Sequence, residues 1–245
     1  MKFAIFTGMG NTSWRDVLSL WKHADQSGWD AACVTDHFMP NTPDRVGDTL
    51  ECWTALAALA AETKRMRVGT IVSGNTYRHP AVLAKMATNI DIISGGRLIC
   101  GVGAGWQKNE HTAYGMPFYT MPERLKRLDE ACQVLNLLWT QERSTFKGTY
   151  YQLDDAPHMP RPVQKPRPEL MVGGAARRSP SRSPRAGRIT GTCGAVRTSS
   201  PRRARSSKRT ARRSVVIPRP SSARPSWSPV SRTTPRRWTV SSRRS

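Results

Sequence analysis

Val172-Gly173-Gly174 divides this chain into two kinds of sequence. Before it, short apolar runs alternate with amphipathic stretches, the pattern of a packed α/β domain. After it, Ala175 to Ser245 holds 19 Arg, one Lys and no Asp or Glu. Such a composition cannot bury enough apolar surface to offset chain entropy, so the core must come from the first 174 residues. The charge divides the same way. A net +22 would suggest a nucleic-acid partner. However, +20 of it follows Gly174, and the 19 basic and 17 acidic residues before it leave +2.

Phe3 to Phe6, ending in Thr7-Gly8, predicts a first strand buried on both faces. Ser13 is placed to cap a helix striped with Trp14, Val17, Leu18, Trp21 and Ala24 and stopped by Gly28. Ala31 to Thr35 predicts a second strand that delivers Asp36-His37-Phe38 at its C-terminal end, and Trp53, Leu56, Ala57, Ala60 and Ala61 mark a second helix. Val68 to Val72 predicts strand three, ending in Ser73-Gly74-Asn75. Pro80 then opens a helix with Leu83, Met86, Ala87 and Ile90 inward. Leu98 to Val102 predicts strand four, which runs into Gly103-Ala104-Gly105-Trp106. Gln107 to Thr120 reads as a long polar loop. Pro122 opens a fourth helix with Leu125, Leu128, Cys132, Leu135 and Leu138 on one side. Lys147 to Pro168 reads as a hairpin and a Pro-rich connector, and Leu170 to Val172 as strand five.

This alternation predicts a parallel sheet covered by helices, which either a doubly wound sheet or a TIM-type (β/α)8 barrel satisfies. No G-x-G-x-x-G turn joins the first strand to its helix, which favours the barrel. Only about its first five strands are present, too few to close it.

Polar residues at strand C-termini gather at one mouth of such a barrel. Asp36 and His37 stand there, and a histidine can pass a proton near neutral pH, although capping and packing roles serve equally well. Ser73-Gly74 would let a flat ligand approach the backbone, as would an ordinary turn. Gly101 to Gly105 is rich in glycine without being a dinucleotide fingerprint, and Glu110, beyond Trp106, is a candidate acid or base. Gly173-Gly174 before a helix would make an amide nest for phosphate. Cys33, Cys52, Cys100, Cys132 and Cys193 form no C-x-x-C pair and no zinc spacing, so reduced thiols and no metal are expected. No signal-like segment and no run near the ~18 apolar residues of a membrane span is seen, so a cytoplasmic protein without membrane association is expected.

As a set, Gly28-Trp29-Asp30, Thr35-Asp36-His37-Phe38, Arg78 to Lys85, Ser94 to Arg97, Gly101 to Trp106 and Pro168 to Gly174 resemble the luciferase-like monooxygenase superfamily of flavin and deazaflavin enzymes. The order and spacing match over residues 1–174. The resemblance implies an eight-stranded barrel with a cofactor at its C-terminal mouth, and Asp-His-Phe is similar to the branch using the deazaflavin coenzyme F420, with FMN the alternative. His37 and Glu110 are the candidate catalytic residues, Glu110 by its place in the mouth-side loop. The resemblance further implies Asp36 and His37 at the ring, Val72, Ser73 and Gly74 behind it beside a non-prolyl cis peptide, and Gly103 and Trp106 nearby. Gly173 and Gly174 would begin the phosphate loop. The chemistry implied is hydride exchange with a small organic substrate, and intact members are expected to be homo-oligomers. The sugar-phosphate dehydrogenases of the branch carry a glutamate at the position of Trp106, so a sugar phosphate is not implied.

In the family the two glycines are followed by a helix and an Asp-His-Trp or Asp-Gly-Trp strand. With GC-rich codons chosen for residues 175–195, a shifted frame reads G-E-E-K-S-L-A-I-A-A-R-G-P-D-H-W-N-V-W-G, a helix followed by that strand. The expectation is therefore that residues 175–245 are a frameshifted, disordered reading of the second half of the barrel, and that cofactor binding and activity are impaired. The rival reading is a genuine Arg/Ser/Pro-rich arm for RNA or DNA, but the tail lacks repeated Arg-Ser or Arg-Gly-Gly units. Only salt-labile, non-specific sticking to nucleic acid is expected of it.

Overall fold

The computed structural model describes residues 2–42 and 44–173. Gly174 and the expected disordered tail lie outside the described residues. In chain order the elements are β1 (Ala4–Thr7), α1 (Trp14–Gln26), β2 (Ala31–Val34), α2 (Cys52–Glu62), β3 (Arg67–Thr70), β4 (Ser73–Gly74), α3 (Pro80–Ile93), β5 (Leu98–Gly103), α4 (Lys108–Ala113), α5 (Met121–Thr140), β6 (Arg143–Lys147), β7 (Gln152–Pro157) and β8 (Glu169–Gly173).

β1, β2, β3, β5 and β8 lie side by side in that order and all are parallel, with β4 continuing the line of β3 against β5. Each strand therefore neighbours the next parallel strand along the chain. A doubly wound sheet reverses direction at a switch point, and this one never does, so it is an arc of a singly wound barrel. β6 and β7 form a separate antiparallel hairpin, which begins at Arg143 rather than at Lys147 as the sequence suggested.

The expected third strand is interrupted. Four residue steps separate Gly69 from Ser73, whereas three separate their partners Ile99 and Val102, so one extra residue is bulged out of the ladder. The Ile71–Val72 peptide is cis, in the segment where the family resemblance placed such a bond. The Thr70 side chain bridges the break, donating to the Gly101 carbonyl at 2.8 Å and accepting from the Gly101 amide at 3.0 Å. A side chain at Gly101 would collide with the Thr70 carbonyl, which accounts for glycine within a strand.

The helices form where their local chemistry starts and stops them. The Ser13 hydroxyl accepts from the Asp16 amide at 3.1 Å to cap α1, and Gly28, at φ +86°, carries the chain away from its far end. Pro80 occupies the first turn of α3, where no amide hydrogen is needed. Three buried tryptophans tie helices to their neighbours through the indole N–H: Trp21 to Thr7 at 3.1 Å, Trp53 to Ser73 at 3.2 Å and Trp139 to the Ala84 carbonyl at 3.2 Å. Burying each large apolar side chain contributes about 1.5–3 kcal/mol, and the paired N–H avoids an offsetting polar cost.

Several expectations are corrected. β1 is not buried on both faces: Phe3 and Phe6 are 56% and 63% exposed, and within β1 only Thr7 is buried, because an apolar run is buried only where another element packs on its face. Ala61 and Leu125 face solvent, the inward positions of their helices being Leu59 and Ala60 in α2 and Leu128, Ala131, Val134 and Leu135 in α5. The expected loop from Gln107 to Thr120 contains α4. Among the described residues no helix is long and apolar enough to cross a membrane, and no group of three or more His, Cys, Asp or Glu could hold a metal.

Candidate functional site

The C-terminal ends of β2, β4, β5 and β8 share one edge of the sheet, and the predicted site residues lie on it or just beyond it. At the centre is a row of glycines. Gly74 pairs in register with Gly103, and Gly103 with Gly173. The Val72 side chain packs over this row: a Cβ on Gly103 or on Gly173 would come within 2.7 Å of its methyl groups. The structure thus brings Val72, Ser73, Gly74, Gly103 and Gly173 together. Gly174 lies outside the described residues.

Asp36 sits beneath this row. Its carboxylate is fully buried and receives both terminal nitrogens of Arg78, at 2.6 and 3.1 Å, as well as the Ser73 hydroxyl. Arg78 also reaches Glu51 at 2.6 Å. With its oxygens engaged and no exposed surface, the Asp36 carboxylate holds Ser73 and Arg78 in place. Sequence reasoning assigned no role to Arg78, although it sits inside the Arg78-His79-Pro80 motif just before α3. Its partners lie 42 and 27 residues away, and nothing local signals them.

His37 is different. About a quarter of its side chain is exposed, and its Nδ1 lies 3.0 Å from Oε2 of a fully buried Glu110. α4 places Glu110 there, and the carboxylate also accepts from the Phe38 amide, the Met39 amide at 3.3 Å and the Tyr77 hydroxyl. Burial pushes the Glu110 carboxyl up, but His37, Tyr77 and the Phe38 amide outweigh it and hold the group below its ordinary value. Burial, then the adjacent Glu110, pushes the Tyr77 phenol well above its ordinary range, so it stays protonated and donates. An ionised carboxylate only accepts, so His37 donates to Glu110 through Nδ1. Glu110 is accordingly an orienting group rather than a freely accessible acid or base. It shapes the loop at 37–39 and sets the tautomer of His37. Tyr77 was missed by the sequence reading for the same reason as Arg78.

Trp106 stands beside His37, ring centroids 5.6 Å apart in an edge contact. His111 is buried behind, between Thr76 at 2.6 Å and the Gln107 carbonyl at 2.8 Å, and its ring packs on Tyr77. A cavity of about 230 Å³ opens in front of His37 and Trp106, walled by Gly8, Met9, Thr35, Met39, Thr49 and Gln107 among others. A wider hollow of about 420 Å³ along α1, from Arg15 to Gln26, is open and holds none of these groups.

The luciferase-like monooxygenase family model matches residues 1–213, running past the glycine pair. The chain is 39% identical over 143 residues to an F420-dependent glucose-6-phosphate dehydrogenase of Microbacterium testaceum (strain StLB037), covering 58% of this chain and 42% of that protein. It is 35% identical over 127 residues to an FMNH(2)-dependent dimethylsulfone monooxygenase of Pseudomonas putida, covering 52% and 35%. Among solved structures, an F420-dependent secondary alcohol dehydrogenase in complex with an F420-acetone adduct superposes with a TM-score of 0.64 at 27% identity, over 71% of this chain and 52% of that one. The chain spans about half the length of these relatives, or less. With a family model covering well over half of its residues, and the sheet order and glycine-lined mouth of a singly wound barrel, this chain belongs to the luciferase-like monooxygenase family.

Proposed function

We propose that residues 2–173 form the cofactor-facing half of an oxidoreductase that moves a hydride between coenzyme F420 and a small organic molecule. The observation that carries this reading is His37, oriented through Nδ1 by buried Glu110, with its other nitrogen free at a cavity beside the glycine row. A flat ring needs a wall from which no side chain projects. Gly74, Gly103 and Gly173 project no side chain, and Val72 and the Tyr77 ring pack against the row they form. Val72, Ser73, Gly74 and Gly103 would lie behind the ring, His37 and Trp106 at its edge, and Gly173-Gly174 toward the phosphate.

Bound there, the deazaflavin supplies a two-electron hydride acceptor or donor that reacts poorly with oxygen. The chain supplies the proton chemistry. His37 Nε2 accepts the proton of a substrate hydroxyl in the oxidative direction and returns it to a carbonyl oxygen in the other. Glu110 stabilises the imidazolium that forms and keeps the ring from turning. Met39 and Trp106 stand beside His37 at the cavity and narrow the approach to it. The similarity to an FMNH(2)-dependent relative makes FMN the competing cofactor.

Fluorescence titration with F420 and with reduced FMN tests the reading, on this chain and on a version with the reading frame shifted after Gly174. The expected result is micromolar, saturable F420 binding by the frame-shifted version, with weak or no binding by the chain as given. Absence of binding by both, or preference for FMN, overturns it. Sequencing the gene around codon 174 tests the frame reading separately: stops or no barrel continuation in the shifted frame would end it.

A further inference from the structure

The donors around Glu110 are divided between its two oxygens by kind. Oε1 accepts from the backbone, from the Phe38 amide and from the Met39 amide at 3.3 Å. Oε2 accepts from side chains, from His37 Nδ1 at 3.0 Å and from the Tyr77 hydroxyl. His37 and Tyr77 therefore share one buried oxygen, and each withdraws charge that the other would otherwise meet. Among the described residues no Lys or Arg forms an ion pair with Glu110, so no cation makes up for a lost donor.

Tyr77 is fixed for this contact. Its amide donates to the Gly74 carbonyl at 3.0 Å, and a Cβ on Gly74 would come within 2.6 Å of its ring. The ring meets Phe38 edge-on at 5.1 Å and lies tilted against His111 at 4.9 Å. Phe38 follows His37 in the chain and His111 follows Glu110, so Tyr77 packs beside both members of the pair. The Arg78 guanidinium lies over the Phe38 ring at 5.5 Å but is committed to Asp36 and Glu51. Burial, then Glu110, keeps the Tyr77 phenol protonated, so it donates wherever the carboxylate is ionised.

An unshared carboxylate favours the charged imidazole and so weakens it as a proton acceptor; a neutral phenol on the same oxygen reduces that pull. We propose that Tyr77 is a positioning residue for His37: by sharing Oε2, it sets how strongly Glu110 holds the imidazole that borders the cavity. The proposal rests on the hydride-transfer reading only for the use made of His37. Tyr77 does not line the cavity and acts through Glu110.

The test is NMR near neutral pH on the full chain without cofactor. It reads the Nδ1–H proton of His37 at low temperature or, where exchange with water hides it, the Nδ1 ¹⁵N shift through the ring protons. Tyr77→Phe keeps the ring and removes the hydroxyl. Its His37 signal is expected to move downfield with Nδ1 still protonated, the mark of a stronger bond to an oxygen no longer shared. Tyr114→Phe is the control. It removes a hydroxyl that donates to the Phe38 carbonyl at 3.1 Å, and it is expected to leave the signal in place. Adding Tyr77→Phe to Glu110→Gln is expected to cause no further movement, because the shared anionic oxygen is gone. An unmoved signal or a deprotonated Nδ1 in Tyr77→Phe, an equal movement in Tyr114→Phe, or a movement that persists in the Glu110→Gln background overturns the proposal. The cofactor titration is read separately. F420 binding with an unmoved signal removes the role of Tyr77 and keeps the hydride-transfer reading; a movement confined to Tyr77→Phe, with F420 bound by neither version of the chain, does the reverse.

Discussion

His37 and Glu110 are 73 residues apart in the chain and meet at 3.0 Å, a partly buried imidazole held by a fully buried carboxylate. This contact sets which ring nitrogen faces the cavity. Glu110→Gln keeps an oxygen for the Phe38 amide but no longer demands a hydrogen from Nδ1. ¹⁵N NMR of His37 is expected to show an Nδ1–H tautomer in the native chain and a mixture in the variant. In the frame-shifted version, kcat is expected to fall by about 10- to 100-fold, the usual cost of losing such an orienting partner. An unchanged tautomer together with kcat within twofold would sink the assignment.

Asp36 and Arg78 form a buried ion pair whose members are unequal. Removing Arg78 leaves a carboxylate without water or countercharge, so Arg78→Met is expected to cost about 3–5 kcal/mol in urea unfolding. Adding Asp36→Asn to that variant is expected to recover more than half of the loss, because the stranded charge is gone. If the double variant is no more stable than the single, the pair is not acting as a charge-compensated unit.

Gly103 lies in the middle of the glycine row, directly against Val72. Gly103→Ala sets a methyl 2.7 Å from a Val72 methyl and is expected to destabilise by about 1–3 kcal/mol through overpacking. Val72→Ala in the same chain is expected to offset part of it, and a cycle measured by denaturant midpoint gives the coupling. Additive losses would show that the clash is relieved elsewhere.

His158 supplies a pH dependence away from the site. It is buried against Thr88 at 2.9 Å, and burial, then Lys85 and Arg161, lowers its pKa to about 4. The unfolded chain takes up this proton at about pH 6.5 and the folded chain only at about 4. Stability is therefore fully present above about pH 6.5 and lost as pH falls toward 4, by at most about 1.4 kcal/mol per pH unit. Glu110 adds to the loss at lower pH, because a depressed carboxyl stabilises the fold only above its ordinary titration range. His158→Gln should flatten the curve between pH 6.5 and 4 and leave the acid limb below it; an unaltered slope would remove His158 as its source.

Periodicity and punctuation made much of the fold legible. Four-residue apolar runs, a capping Ser13, Pro80 in a first turn and the absence of a dinucleotide turn are local signals, and the strands, helices and barrel order followed from them. What failed was non-local. Phe3 and Phe6 read as buried because an apolar run does not tell whether another element covers it. α4 was read as loop because a six-residue polar helix has too few turns to show a stripe. The bulge after Thr70 depends on register against β5, which no single strand encodes.

The site divides along the same line. Asp36, His37, Gly103, Trp106 and Gly173 stand at or just beyond a strand C-terminus, a place the sequence marks by itself. Their roles belong to the tertiary structure, because role depends on what a side chain meets across tens of residues. That is how Arg78 neutralises Asp36 and Glu110 becomes the buried partner of His37 instead of an open acid. Sequence alone determined which residues reach the mouth of the barrel; only the fold decided which of them remain free to act.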